Sequence, residues 1–197
     1  MKMLSDLLMT ALYTVFVQNL VLSSGLGMSE AIRVSTKPGT FGKFAVMISG
    51  FSVATSALCG VIDSVESVAA LPYSLRAAVY AAVLAGVYIV TAAVMNFIFR
   101  ASAKVLGTLG IAALNTLVLA VPHINNYAAY SFAGSIGSGL GAGIAFVLAA
   151  ALISKGSQRI AENEDIPAVF KGTPAMFLYV AMLSLAFAGF TDTNIFS

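Results

Sequence analysis

Of the chain's 197 residues, 59% are hydrophobic and only 9% are charged, and the mean hydropathy is +0.96. Soluble domains carry roughly 25% charged residues, so this chain needs lipid as its solvent. A spanning helix takes about 20 apolar residues, which predicts one membrane domain over 1–197, with several spans and little room for a soluble domain. The net charge of +2 is scattered through short segments, with no basic stripe to neutralise a run of phosphates. The bilayer is therefore the expected partner, and nucleic acid is not.

In chain order, apolar windows bounded by polar or Pro/Gly clusters predict an all-α integral membrane fold of six transmembrane helices, near 7–26, 44–62, 77–99, 105–121, 132–153 and 175–190. Lys2 followed by an apolar stretch superficially resembles a signal peptide, but Gln18 and Asn19 interrupt it and no small-x-small cleavage site follows. Cys59, the single cysteine, falls in the second window and reads as a small packed side chain. The expected breaks are Thr36-Lys37-Pro38-Gly39, Leu71-Pro72-Tyr73, Arg100-Ala101-Ser102, Pro122-His123-Ile124-Asn125-Asn126, and the polar run 154–165 followed by Pro167. Within the fourth of these His123 reads as a solvated interfacial loop residue. The apolar runs are continuous rather than alternating, which excludes a barrel.

Basic residues set the expected orientation. Arg33, Lys37, Lys43, Arg100, Lys104, Lys155, Arg159 and Lys171 fall after the first, third and fifth windows, against Lys2 and Arg76 on the other side, a split of 8 to 2. Lysine and arginine accumulate in the cytoplasm, so both termini are expected outside it.

The first and fourth windows each carry amides, in Gln18-Asn19-Leu20-Val21-Leu22 and in Leu114-Asn115-Thr116-Leu117-Val118-Leu119, with Gly25 and Gly27 beside the first and Gly107 and Gly110 beside the second. Two three-helix halves, approximately 1–100 and 101–197, would place these segments at corresponding, inverted positions, where glycine lets a membrane helix break or lets backbones approach closely. That architecture builds sites at the bilayer midplane. Asn19, Gly25, Gly27, Ser29, Asn115 and Thr116 are accordingly candidate ion-path residues. The alternative is that the two asparagines only bond between packed helices, at about 0.6 kcal/mol each.

In Ser135-Ile136-Gly137-Ser138-Gly139-Leu140-Gly141-Ala142-Gly143 no strand precedes and no Lys-Ser/Thr follows, which argues against a phosphate loop. Gly137 pairs with Gly141 and Gly139 with Gly143 at the spacing of close helix packing. Asp6, Asp63 and Asp192 fall at expected helix ends, and no catalytic triad, carboxylate pair or zinc spacing is present. No catalytic residue is expected, and a cation would have to pass on neutral oxygens.

The chain resembles the membrane subunits shared by the Rnf and Nqr ion-translocating oxidoreductases, namely the A and E subunits of Rnf and the D and E subunits of Nqr. The resemblance covers nearly the whole chain and rests on Val17-Gln18-Asn19-Leu20-Val21-Leu22 with Leu26-Gly27 following, the Gly137–Gly141 glycines, Ile166-Pro167-Ala168-Val169-Phe170-Lys171-Gly172, and 182–190 in the last helix. It implies two inverted three-helix repeats, with the first and fourth helices broken near the midplane, in a bacterial or archaeal cytoplasmic membrane, paired with a related paralogous subunit in a larger complex. In that family each subunit gives two cysteines to an iron–sulfur cluster, and electron flow across it drives sodium or proton export.

The chain departs from the family at both ligand positions. The resemblance expects the first cysteine just after Leu26-Gly27, where Met28-Ser29 stands, and the second just after Asn115, where Thr116 stands. Hydroxyls are poor iron–sulfur ligands beside thiolates, and Cys59 aligns with a position that is not a ligand in the family. The expectation is a scaffold or ion-path subunit with no cofactor bound by this chain alone. The alternative, from another class, is a stand-alone inverted-repeat transporter using Asn19 and Asn115.

Overall fold

The computed structural model describes residues 2–36 and 38–191, so Lys37 and Asp192 lie outside the described residues. The described residues form ten α-helices and one π turn, without a strand. Six stretches are long and apolar enough to cross a membrane: Lys2–Ser24, Phe41–Ile62, Tyr73–Phe97, Ala103–Tyr127, Phe132–Glu162 and Thr173–Phe190.

The first span is α1 (Lys2–Tyr13), a π-helical turn (Thr14–Gln18) and α2 (Leu20–Ser24), after which the short α3 (Met28–Ser35) turns back. The second span is α4 (Pro38–Ile62), and a one-turn α5 (Glu66–Ala69) leads to the third, α6 (Tyr73–Phe97). The fourth span is split into α7 (Ala103–Ala113) and α8 (Thr116–Tyr127). The fifth and sixth are α9 (Phe132–Glu162) and α10 (Thr173–Thr191).

Several boundaries move from the expected ones, each for a physical reason. The third helix starts at Tyr73 rather than 77, directly after Pro72, whose fixed φ suits the residue ahead of a helix. The fifth helix runs through three-quarters of the polar run 154–165, to Glu162, because Lys155, Gln158 and Arg159 are good helix formers and hydropathy ends before backbone hydrogen bonding does. The segment Pro122–Asn126 is not a loop but the second half of α8, with Pro122 inside the helix and His123 on it. Its asparagines are held: Asn125 Nδ2 donates to Ser135 O at 3.4 Å, and Arg76 donates to Asn126 Oδ1 at 2.6 Å.

Helix α9 is the centre of the domain. Gly137 and Gly141 open one face of it to α1, where a Cβ on Gly137 would strike the Leu7 carbonyl and one on Gly141 would lie 2.6 Å from Ala11 O. Gly139 and Gly143 open another face to α4, against Ser52 O and the Ser49 side chain. All four glycines therefore meet helices of this chain, a partner choice that their spacing alone leaves open. Phe146, Ala149, Ala150 and Ile153 continue this helix into a core shared with Leu22, Ile48, Leu117, Val118 and Val121. In contrast, α6 and α10 bury little of themselves and present Ile89, Val90, Met182 and Leu185 outward, as suits helices facing hydrocarbon.

Candidate functional site

Helix α1 widens into the π turn and stops at Asn19, whose backbone (φ 8°, ψ 74°) is not helical. The buried Asn19 amide bridges the interruption, since Nδ2 donates to Val15 O at 2.9 Å and Oδ1 accepts from Leu22 N at 3.1 Å. A polar group in this setting stays buried because both its ends are satisfied. Helix α2 then ends at Gly25 (φ 70°), and Gly27 (φ 75°) opens α3; both lie in the left-handed region that glycine enters without a Cβ clash.

The fourth span breaks the same way. Asn115 leaves the helical conformation (ψ 135°) and its Oδ1 accepts from Leu117 N at 2.8 Å, capping α8. The two breaks touch: Gly27 N–H donates to Thr116 Oγ1 at 2.9 Å, a bond between residues 89 apart in sequence. A Cβ on Gly27 would sit 2.8 Å from Asn115 Oδ1, so only glycine allows this approach. Asn115 Nδ2, in a residue only 3% exposed, has no protein partner.

Beside this contact lies a cavity of about 510 Å³. Gly27, Ser29, Asn115 and Thr116 are on its wall, so the structure brings four of the six candidate path residues together. Asn19 and Gly25 are not on the wall and act on the backbone that leads to it. The cavity opens sideways, since Ser29, Thr116 and Leu114 are exposed, Leu114 by 76%. Helices α3 and α8 both begin here, and helix N-termini carry partial positive charge.

Two polar residues of this wall, Glu30 and Tyr88, were not among the sequence-based candidates. Glu30, at the third position of α3, supplies a carboxylate that pairs with Arg33 at 2.6 Å, and Arg33 in turn lies 5.1 Å over the Phe44 ring. Tyr88 of α6 closes another side, its hydroxyl 3.4 Å from where a Cβ on Gly110 would be. Glu30 follows directly on Leu26-Gly27-Met28-Ser29, so a reading of α3 as part of the broken helix would have found it.

The wall's polar side chains offer hydroxyl, amide and carboxylate groups and no thiol. Cys59 is 1% exposed in α4, where its carbonyl accepts from Asp63 N at the end of that helix, and is not on this wall. Soft iron–sulfur chemistry calls for thiolate ligands, and these residues do not fit it.

The family described as "Rnf-Nqr subunit, membrane protein" matches residues 7–193. The A subunit of the ion-translocating oxidoreductase complex from Rhodobacter capsulatus is 30% identical over 195 residues, covering 95% of this chain and 97% of its own. The corresponding protein of Vibrio vulnificus is 30% identical, with 95% and 98% covered, and that of Colwellia psychrerythraea is 29% identical, with 95% and 97% covered.

Proposed function

Because the chain belongs to the Rnf-Nqr family of membrane subunits, we propose that it is a membrane subunit of an ion-translocating electron-transport complex, paired with a related membrane subunit. It sits in a bacterial or archaeal cytoplasmic membrane with both termini outside the cytoplasm, the orientation its basic residues favour. It acts as scaffold and ion path, and it holds no iron–sulfur cluster.

The observation that carries this reading is the sideways-open cavity at the paired helix breaks. An exposed polar group in the middle of a span is costly against hydrocarbon, and Thr116 is such a group, with the exposed Ser29 of α3 on the same wall. A partner helix covering Leu114 and the cavity mouth would remove that cost. The covered chamber would offer an ion neutral oxygens from Ser29 and Thr116, with the Glu30 carboxylate offsetting the two helix N-termini. Hydroxyls at the two positions where the resemblance expects thiolates support a chamber without a cluster.

The test is affinity purification of the tagged chain from its native membrane. A related membrane protein of the same complex is expected to accompany it, and Leu114→Trp at the cavity mouth is expected to release that partner. Ile89→Trp, on the lipid-facing side of α6 and 64% exposed, should leave the pair intact. A chain that purifies alone from native membranes and moves solute in liposomes would contradict the proposal.

A further inference from the structure

The last turns of α9 and the start of α10 enclose a groove of about 380 Å³ on the side of the basic connections. Its wall takes Leu152, Lys155, Arg159 and the C-cap residue Asn163 from α9, at the three- and four-residue spacing that lines up one helix face, and Tyr179 from α10. Tyr179 lies across Gly156, where a Cβ would strike its ring, and its hydroxyl donates to Leu152 O at 3.2 Å. The groove therefore runs from an apolar end at Leu152, past two cations, to an amide at Asn163. We propose that it binds one anionic phospholipid, whose phosphate lies between Lys155 and Arg159 and whose acyl chains run along Leu152 and α10 into the bilayer.

Charge selects the headgroup. Residues four apart on a helix are about 6 Å apart along its axis, a spacing at which the long side chains of Lys155 and Arg159 can both reach one phosphate. Among the described residues neither side chain is ion-paired or hydrogen-bonded within the chain. Glu162, Glu164 and Asp165 follow in the connection, but all three are exposed and none is on the wall. Asn163 Oδ1 accepts from Asp165 N at 2.8 Å, which leaves Nδ2 as a further donor. Depth agrees with charge. A helix crosses hydrocarbon in about 20 residues, and the apolar part of α9 ends at Ile153, so Lys155 and Arg159 stand just beyond it, at the level of lipid phosphates. Towards the interior, Leu152 and Met182 offer the chains apolar surface, Met182 being one turn beyond Tyr179 in α10 and 69% exposed. Basic pockets between membrane helices are a recurring form of headgroup site. A phosphate free in solution would use the two cations but gain nothing from Leu152 and Met182. The groove shares no residue with the Gly27–Thr116 cavity.

The test places the full-length chain in nanodiscs of equimolar dioleoylphosphatidylglycerol and dioleoylphosphatidylcholine, releases it, and reads the retained lipid by native mass spectrometry. The parent should retain phosphatidylglycerol over phosphatidylcholine by roughly tenfold or more. Replacing both cations, as Lys155→Gln with Arg159→Gln, should abolish that preference, while Lys155→Arg, which keeps the charge, should preserve it. Arg100→Gln with Lys104→Gln, at two exposed cations of another basic connection, should retain lipid as the parent does. Inorganic phosphate in millimolar excess should not displace the lipid. Equal retention of the two lipids by the parent, a preference that survives the loss of Lys155 and Arg159, or an equal loss in the Arg100 and Lys104 control would each overturn the proposal. Displacement by inorganic phosphate would overturn it too, making the groove a site for a free anion.

Discussion

Replacing Gly139 with alanine adds one methyl group where α9 crosses close to the backbone of α4. Its Cβ would lie 2.8 Å from Ser52 O and 2.9 Å from Val53 Cα, both backbone atoms that cannot rotate away. Ordinary contacts of a Cβ begin near 3.4 Å, so the helices must separate by about half an ångström, loosening the van der Waals contacts along the crossing. Overpacking of this kind costs about 1–3 kcal/mol, partly offset by the roughly 1 kcal/mol that alanine gains over glycine in a helix. Thermal unfolding in detergent micelles, read by circular dichroism, should show a Tm lower by several degrees, since about 1 kcal/mol moves the Tm of a chain this size by roughly 2–4 °C. The matched control is Gly86→Ala in α6, where a Cβ meets nothing within 4 Å and the same substitution should be neutral or stabilising. Gly139→Leu should prevent assembly altogether, while Cys59→Ser should leave it nearly intact. Equal effects of Gly139→Ala and Gly86→Ala would refute the packing argument.

Asn19→Ala removes both bonds that bridge the first helix break and should cost about 1–3 kcal/mol, measured as loss of thermal stability. At the junction of the halves, Thr116→Val removes the acceptor of Gly27 N–H and should destabilise by about 1–3 kcal/mol, while Thr116→Ser should restore most of the loss. Tyr130, between α8 and α9 and outside the spans, has its phenol pushed up by burial and secondarily by Tyr13. A group whose proton is held more tightly in the folded state contributes stability that is full below its unfolded pKa, about 10, and is lost as pH rises through the higher folded value. Unfolding scans above about pH 10 should therefore fall less steeply for Tyr130→Phe than for the parent.

Hydropathy made the six spans legible, because about 20 apolar residues can be little else in so uncharged a chain. Asn19 and Asn115 marked the first and fourth spans as unusual, the resemblance supplied the expectation that both are broken, and the glycine ladder of α9 was legible through its spacing. Glu30 was not, because a window that averages hydropathy assigns the whole stretch after Leu26 to solvent. It cannot register that Gly25 and Gly27 turn the chain back so that α3 starts against α8. His123 was misplaced for a related reason: proline and two asparagines in five residues resemble a loop, yet each asparagine finds a tertiary partner and the helix continues through Pro122. Local composition reports solvent preference well, and it reports poorly on polar groups whose partners come from far along the chain.

The most direct test of the account is an assay of iron and acid-labile sulfide on the full-length chain purified under anaerobic conditions, with the Cys59→Ser variant alongside. The account predicts neither element in stoichiometric amount in either protein. Iron and sulfide bound in stoichiometric amount to the parent and lost with Cys59→Ser would make that cysteine a ligand and contradict the assignment of this chain as a cluster-free subunit.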